Sequence, residues 1–464
     1  MDYAAATPVD DKVLAAMLPY FSDKFFNPSA AYTPARNVRT DFEAARHRIA
    51  QIVGARPAEI IMTAGATESI NLALHSFCHP ELVSGSSLYK ENAVDSRVKH
   101  ENDVVSILTT AIEHPAVLET ARAAGAKFLP VDKFGRVDPA IVRKYITDDI
   151  KLISVGYANN EIGTVQPLKE IAEIVAAVRS ERAQKGVKTP LLFHTDASQA
   201  AGYLDLNVAR LGVDLMTLNA GKGYGPKQVG CLFVRAGVKL QPLLSGGGQE
   251  MNLRSGTENV AGAVGFAGAL EIAEKHRKSE VKRLEELRDD LENYLLSVFA
   301  STAKQPNRKD CHSEFISESS LSLPEEKQKK LKIMKPQHQT RGCWARQVQD
   351  DKSKQSVQND KIIINGHKKY HLPNILNFSV PGLDGERAVF ALDERGVMVA
   401  TGSACAANKG TRSHVLTAIG LSENLIDGSL RISLGRPTTK TEIEQLKPIL
   451  IETLREQLKF GSQK

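Results

Sequence analysis

Apolar residues along the chain alternate between strand-like runs and helical spacing, mainly over residues 40–300. The segment RTDFEAARHRIAQIVGA has apolar residues at helical spacing and ends at Gly54, and ATESINLALHSF predicts a helix directly after the short apolar strand EIIMTAG. Further strands, rich in Val, Ile and Leu, are predicted at DVVSILTT, DIKLISVGYA, PLLFHTDA, VDLMTLNA and VGCLFVRA, and an amphipathic helix at PLKEIAEIVAAVRSERAQ. This alternation predicts an α/β fold with a mainly parallel central sheet covered by helices on both faces.

The pattern changes in the second half of the chain. Residues 258–298 are helical in spacing, and after residue 370 come a strand at NILNFSV, a helix at GERAVFALDERG, a strand at SLRISLG and a helix over 439–459. We therefore predict a large domain over 15–260 and a smaller α/β domain over 261–464, with an N-terminal segment, 1–14, packed against the smaller one.

Two polar stretches, 79–102 and 303–365, interrupt this order and lack periodicity. They resemble each other, since CHPELVSGSSL begins at Cys78 and CHSEFISESSL begins at Cys311. We interpret both as insertions derived from one repeated element and extruded as surface loops, which cost little because closure entropy grows slowly with length. Cys311, Cys343 and Trp344 fall in the second insertion and receive no role.

Composition narrows the class of protein. The chain has 464 residues, 42% hydrophobic and 25% charged, with a net charge of +6, which is typical of a globular protein. The basic excess is concentrated around 323–370, so it does not indicate nucleic-acid binding. No apolar run is long enough for a membrane helix, and the N-terminus lacks the pattern of a secretory signal. The five scattered cysteines form neither a disulfide framework nor a metal-ligand cluster, which indicates a reducing cytoplasm.

Candidate chemistry begins with Lys222, in the glycine-rich turn LNAGKGYGPKQVG after a predicted strand. A lysine in such a turn can form a Schiff base with an aldehyde cofactor, although a lone loop lysine is more often a surface residue. In TAGATESINLAL, Ala66 and Thr67 open a helix whose free N–H groups can bind an anion, or Thr67 is a plain helix cap.

Polar residues also follow other strands, at the sheet edge where open α/β sheets bind ligands. Asp196 in HTDASQAAG can pair with a protonated pyridine nitrogen or cap a helix, and His114 in AIEHPAVLE can stack on a flat ring or be structural. Asn159 and Asn160 reach the same rim or form a turn. Cys405, in the small-residue loop TGSACAANKGTR, has no apolar face to bury it, which suits a mobile nucleophile.

Taken in order, the motifs GATES, EHPAV, NNEIGT, HTDASQ, AGKGYGPKQ, RSGTEN, GSAC and SLGR resemble the cysteine desulfurases, within the fold-type I pyridoxal-phosphate superfamily. The resemblance covers nearly the whole chain except the two insertions. It implies that Lys222 holds pyridoxal 5'-phosphate and moves protons, that His114 stacks on the ring and that Asp196 pairs with the ring nitrogen. The remaining cofactor contacts that it implies are Ala66 and Thr67 at the phosphate, Asn160, Gln199 and Asn219, and Thr257 from a neighbouring subunit, hence a homodimer.

The same resemblance implies the substrate contacts and the reaction. Arg436 corresponds to an arginine that binds the carboxylate of L-cysteine, with Asn27 and Asn160 nearby, and Cys405 to the nucleophile that receives sulfur as a persulfide while L-alanine leaves. The TGSAC form is similar to the subgroup with a longer cysteine loop, which implies a sulfur acceptor such as an iron–sulfur scaffold protein, with Cys405 as a transient cluster ligand, or transfer towards tRNA thiolation.

Two features keep alternatives open. Gly221 stands where the family usually has a histidine before the lysine, and Gly223 where it has a larger apolar residue, so phosphate binding is the least typical part of the site. The alternatives to a cysteine desulfurase are a selenocysteine lyase or another class V aminotransferase-type enzyme, which needs no loop cysteine, and a non-enzymatic relative.

Overall fold

The computed structural model describes residues 1–77, 106–302, 362–402 and 412–461. The predicted insertion 79–102, most of the predicted insertion 303–365, and Cys405 lie outside the described residues. Residues Met1–Leu296 and Ile362–Lys464 group into one compact unit. The predicted domain boundary at residue 261 coincides with the start of a long helix, Val260–Thr302.

A seven-stranded mixed sheet forms the centre of this unit, in the order β1-β7-β6-β5-β4-β2-β3. Its strands are β1 (Ile60–Thr63), β2 (Ile107–Thr110), β3 (Lys127–Leu129), β4 (Leu152–Ser154), β5 (Leu192–Asp196), β6 (Leu215–Asn219) and β7 (Gly230–Val234). Strands β3, β2, β4, β5 and β6 run parallel, and β7 is antiparallel to both β6 and β1. The mainly parallel sheet predicted from the apolar runs is therefore confirmed.

Two helices precede the large sheet in the chain, and the others lie between its strands. They are α1 (Asp11–Met17), α2 (Thr33–Val53), α3 (Ala66–His75), α4 (Pro115–Ala123), α5 (Pro139–Tyr145), α6 (Leu168–Lys185) and α7 (Val208–Leu211). Local sequence sets several of their ends: the side chains of His114 and Asp138 cap α4 and α5, each followed by proline, and α2 ends where Gly54 adopts a left-handed φ of 69°.

The smaller sheet follows the long helix α8 (Val260–Thr302). It contains β8 (Ile363–Asn365), β9 (Ile375–Ser379) and β10 (Ser429–Ser433), all antiparallel, in the order β10-β9-β8. The remaining helices are α9 (Gly385–Asp393), α10 (His414–Ala418), α11 (Glu423–Asp427) and α12 (Lys440–Gly461). Residues Ile363–Asn365, which the sequence assigns to the second insertion, therefore form an edge strand.

The N-terminal residues join the smaller sheet at β10. Asp2 forms a parallel bridge with Ser433, the amide of Tyr3 donates to the carbonyl of Ser433, and the amide of Ala4 donates to its hydroxyl at 2.9 Å. This pairing carries residues 4 and 5 across the edge of the large sheet, where the site lies.

Apolar side chains cover both faces of the large sheet. Alternate residues of β7 show this, because Phe233 packs into the cluster that contains Phe42 of α2, whereas Leu232 packs into the cluster that contains Ile70 of α3. Burial raises the pKa of the Cys231 thiol to about 12, so this cysteine is a core residue without thiolate reactivity.

Within the described part of the chain, no helix combines the length and apolarity needed to cross a membrane. The same residues contain no group of three or more His, Cys, Asp or Glu side chains that could hold a metal ion.

Candidate active site

A cavity of about 340 Å³ lies at the carboxyl ends of the parallel strands. Since β2, β4, β5 and β6 point the same way, the polar residues that follow them meet at this edge. The predicted site residues that line the cavity are Ala66, Thr67, His114, Asn160, Asp196, Gln199, Asn219 and Lys222. The structure thus brings most of the predicted cofactor residues together.

Lys222 lies in a single 3₁₀ turn directly after β6. The side chain of Asn219 stabilises this turn, because its Oδ1 accepts the amide of Gly221 at 3.1 Å. The ammonium Nζ of Lys222 donates to the carbonyl oxygens of Ala4 at 3.0 Å and Ala5 at 2.5 Å. The N-terminal segment therefore holds the lysine within the cavity.

The carboxylate of Asp196 is oriented by its own turn at the end of β5. Its Oδ1 accepts the amide of Ser198 at 2.9 Å and the hydroxyl of Ser198 at 2.6 Å. Two residues earlier, His194 is fully buried between Ser154 and Thr217, and burial lowers the pKa of His194 to about 4. His194 is therefore a neutral residue of the sheet interior that makes a hydrogen bond at each ring nitrogen.

His114 is both a cavity residue and the cap of α4. Its Nδ1 accepts the amide of Ala116 at 3.1 Å, which assigns the proton of the neutral ring to Nε2. Burial lowers the pKa of His114, and the negative charge of Asp196 opposes that effect. A half-buried, neutral imidazole fixed by a helix cap is suited to packing flat against an aromatic ring.

The N-terminus of α3 lies at the cavity, which Ala66 and Thr67 line. The N-cap residue of α3 is Gly65, with a φ of 131°, and as a glycine it has no side chain to cap the helix. A Cβ at Gly230 of β7 would lie 2.9 Å from the Cα of Gly65, so glycine at 230 permits this close approach. The first helical N–H groups, with the hydroxyl of Thr67, are then available to a phosphate.

Two buried residues that the sequence did not single out also line the cavity. The carboxyl of Glu113 accepts the hydroxyl of Thr110 at 2.7 Å and the amide of Gly156 at 3.0 Å. Burial, assisted by the charge of Asp196, raises the pKa of Glu113 to about 7. Its position next to His114 was the only signal in the sequence.

The second such residue is Arg431 of β10, whose side chain is almost fully buried. Its Nη1 donates to the carbonyl of Asn160 at 2.9 Å and its Nη2 to Asp2 at 2.7 Å. The buried Nε has no hydrogen-bond partner among the described residues. This buried N–H can therefore still donate one hydrogen bond.

The structure does not bring Arg436 to this cavity. Its guanidinium lies 3.6 Å over the ring of Tyr224 and pairs with Asp10 at 3.1 Å, because β10 ends before it and the chain turns away. Of the two arginines in SLRISLGR, Arg431 is therefore the one that faces the site.

Two further predicted residues also lie elsewhere. Thr257 lines a separate cavity of about 90 Å³ together with Arg254 and Asn259. Asn27 lies in an exposed turn, where its Oδ1 accepts the amide of Ser29 at 2.9 Å. Within one chain, neither residue reaches the cofactor cavity.

The fold and the lysine-centred cavity define the class of protein: the chain belongs to the aminotransferase class-V family, whose sequence profile matches residues 1–320 and 344–446. This family and the cysteine desulfurases depend on pyridoxal phosphate, which is therefore the cofactor of this chain. The family and the cofactor predicted from the sequence motifs are confirmed.

Several individual proteins of known name are similar to this chain over nearly its whole length. The chain is similar to the protein named cysteine desulfurase IscS of Dictyoglomus turgidum, at 35% identity over 463 residues, which cover 98% of this chain and 95% of that protein. It is similar to the solved structure of a NifS-like protein, with a TM-score of 0.72, 29% identity and 98% of each chain covered. A structure described as SspA in complex with cysteine gives a TM-score of 0.64 at 29% identity, with 93% of this chain and 97% of that one covered.

The residues present fit pyridoxal phosphate. The cavity volume of about 340 Å³ is of the size that small-ligand sites have, and it holds an amine, Lys222, a carboxylate, Asp196, and a helix N-terminus at Thr67. A Cβ at Gly221 would meet its nearest atoms, Asn219 Oδ1 and Lys227 Cα, at 3.6 Å, which is ordinary van der Waals contact, so a side chain at this position does not require a distorted turn.

Proposed function

We propose that this chain is a cysteine desulfurase that removes sulfur from L-cysteine, releases L-alanine and leaves a persulfide on Cys405. The observation that carries the proposal is the convergence of Lys222, Asp196 and His114 on one cavity of a class-V fold. The relatives named cysteine desulfurase, aligned over nearly the whole chain, support this choice within the family.

Each cofactor residue has a role that its contacts support. Pyridoxal phosphate, when bound, supplies an electron sink for the α-carbon of the substrate. Lys222 Nζ holds the cofactor and moves a proton at the substrate α-carbon, Asp196 holds a proton on the ring nitrogen, and the start of α3 at Thr67 binds the phosphate. His114 packs against the ring, with its proton on Nε2.

Arg431 is the residue that we assign to the substrate carboxylate, in place of Arg436. Its cationic side chain is buried, lines the cavity and carries an Nε–H without a partner among the described residues. A guanidinium is suited to a carboxylate because its N–H groups match the two oxygens. The structure described as SspA in complex with cysteine supports L-cysteine as the substrate class.

Cys405 lies outside the described residues, but its flanking residues attach to the cavity wall. Ala400 pairs through its backbone with Arg431, and His414 Nε2 lies 2.9 Å from the carbonyl of Glu113. In the proposed step the Cys405 thiolate forms a bond to the substrate sulfur while the bond from sulfur to the β-carbon breaks. The electron pair of that bond stays with the carbon, which takes up a proton and leaves as alanine.

Residues outside the cavity support the proposed homodimer. Thr257 lies outside the cavity of its own chain, which supports a phosphate contact across a homodimer. Large apolar side chains that lie close together in the sequence are also exposed, at Leu18, Phe21, Phe25 and Tyr32. Exposed apolar patches mark association surfaces. We propose a homodimer through this surface, an iron–sulfur scaffold protein as the sulfur acceptor, and a cytoplasmic location.

One assay tests the function. The purified protein should show the visible absorbance of a lysine-bound cofactor and release alanine and sulfide from L-cysteine in the presence of a thiol. Lys222→Ala should abolish the absorbance and both products, whereas Cys405→Ala should keep the absorbance and lose the products. Full sulfide release by Cys405→Ala would contradict the proposal and favour a lyase or aminotransferase, and absence of cofactor binding would favour a non-enzymatic relative.

A further inference from the structure

Glu161, the acid of the NNEIG motif, is a buried carboxylate for which the cofactor site has no use. Its side chain is almost fully buried, and the turn that carries it is fixed because Asn159 Oδ1 accepts the amides of Glu161 and Ile162 at 2.9 Å. The side-chain amide of Asn159 in turn donates to the carbonyl of Ile112 at 2.9 Å. The carboxylate is therefore held by a rigid turn between β4 and α6.

This carboxylate contacts both described ends of the segment that contains Cys405. Its Oε2 accepts the hydroxyl of Ser413 at 2.5 Å. A Cβ built on Gly402 would lie 3.1 Å from the same oxygen, so the backbone of Gly402 packs directly against the carboxylate. Gly402 and Ser413, which lie on either side of residues 403–411, therefore both contact one oxygen atom of Glu161.

The neighbouring contacts tie the same two ends to the cavity. Ala400 and Arg431 exchange two backbone hydrogen bonds, of 3.1 and 2.6 Å, just before Gly402. On the other side, His414 bonds to the carbonyl of Glu113. The anchors on each side therefore rest on residues that line the cofactor cavity.

The energetics of Glu161 are unusual for a residue with only a packing role. Its Oε1 is buried and has no hydrogen-bond partner among the described residues, and the described residues form no ion pair with it. Burying a carboxylate that is only partly satisfied is costly, and such a cost persists where the group has a function. The contact with Ser413 and Gly402 is the gain that this position offers.

We propose that Glu161 is a positioning residue for sulfur transfer, whose carboxylate holds the two ends of the Cys405 segment side by side at the rim of the cofactor cavity. The inference rests on the proposed function of Cys405. The proposed role of Glu161 is to fix Gly402 and Ser413, between which the thiol-bearing segment lies, and not to contact the reacting atoms. A displacement of about 1 Å at a reacting group can cost on the order of 100-fold in rate.

The test compares Glu161→Ala and Glu161→Gln in the cofactor-loaded enzyme. Glutamine keeps an oxygen that accepts the Ser413 hydroxyl, whereas alanine removes it. We expect Glu161→Ala to retain cofactor absorbance and the spectral change on adding L-cysteine, and to form alanine roughly 10- to 100-fold more slowly. Glu161→Gln should restore the rate to within a few fold, and mass spectrometry should show the same order for persulfide on Cys405.

A matched control uses the same flank of the segment. Arg412 makes only exposed ion pairs, with Asp427 at 2.7 Å and Glu423 at 3.0 Å, so Arg412→Ala should leave the rate nearly unchanged. Ser413→Ala should slow alanine formation, although it also removes the cap that Ser413 gives the amide of Leu416. The double variant Glu161→Ala/Ser413→Ala should be no slower than the slower single variant, because both single variants remove the same hydrogen bond.

The outcomes separate this inference from the proposed function. If Glu161→Ala forms alanine at the parent rate, or if Ser413→Ala does so where Glu161→Ala fails to fold, the positioning role is refuted. If Glu161→Ala loses cofactor absorbance while Ser413→Ala keeps both absorbance and rate, Glu161 supports the cavity itself and the inference also fails. Full activity of Cys405→Ala, by contrast, refutes the function on which the inference rests.

Discussion

Replacing Glu113 with glutamine tests the electrostatics of the cavity wall. The carboxyl of Glu113 is buried beside Asp196, and burial raises its pKa from 4.5 to about 7, although the donors Thr110 and Gly156 partly oppose this. Between these two pH values, the folded protein keeps a proton that the unfolded chain has released. Stability from this group is therefore fully present below pH 4.5 and is lost as the pH rises to about 7.

The magnitude follows from the size of the shift. A rise in pKa from 4.5 to about 7, at about 1.4 kcal/mol for each pH unit, corresponds to about 3–4 kcal/mol. Glutamine does not titrate, so Glu113→Gln should gain about 3 kcal/mol in unfolding free energy relative to the parent between pH 4.5 and 7.5. Parent and variant differ in one side chain only, so the change in their stability difference with pH reports on Glu113.

The assay is urea unfolding of the cofactor-free parent and variant at several pH values, monitored by far-ultraviolet circular dichroism of the backbone. The exposed Glu173→Gln serves as the control for the loss of one carboxyl from the protein surface. The unfolding free energy of Glu113→Gln minus that of the parent should rise with pH. A change in this difference of less than about 0.5 kcal/mol, or a fall with rising pH, would contradict a raised pKa of Glu113, since the predicted change is several times larger.

Three further substitutions have defined outcomes. Arg431→Met should raise KM for L-cysteine by roughly 10- to 100-fold, the value of a charged hydrogen bond; steady-state kinetics at unchanged cofactor content would test this. Glu250→Ala should destabilise the fold by about 3–5 kcal/mol, because it removes the buried partner of both Nη atoms of Arg46 and leaves the guanidinium only the more exposed Glu43 and one carbonyl; thermal unfolding would show a smaller loss if the pair contributes little. Gly212→Ala, at φ 71° with a methyl group 2.5 Å from its new Cβ, should destabilise more than Gly186→Ala, at φ 72° in open space; equal denaturation midpoints would contradict this.

The sequence predicts the large sheet well because each of its buried strands is a short apolar run that ends in a polar or glycine residue. The same rule predicts the site, since Asp196, His114 and Lys222 all follow such runs. What periodicity does not contain is the strand order. Strand β7 is inserted between β1 and β6, a pairing fixed by packing on both faces and not by local propensity.

The arginines illustrate the limit for individual residues. Both Arg431 and Arg436 lie in SLRISLGR, and motif order alone favoured Arg436 for the substrate. The choice depends on how β10 pairs with Asp2 and Ala400, contacts between residues far apart in the chain. The carbonyls of Ala4 and Ala5 that hold Lys222 were unpredictable for the same reason.

The pairing of the N-terminal segment with β10 has a consequence for biosynthesis. Ala4 and Ser433, which are joined by a hydrogen bond, lie 429 positions apart, and the cofactor cavity is lined by residues from both ends of the chain, Ala4 and Arg431 among them. A nascent chain on the ribosome can form the large sheet long before the wall at Arg431 has emerged from the exit tunnel. A cavity that includes Arg431 can therefore receive the cofactor only when translation is nearly complete.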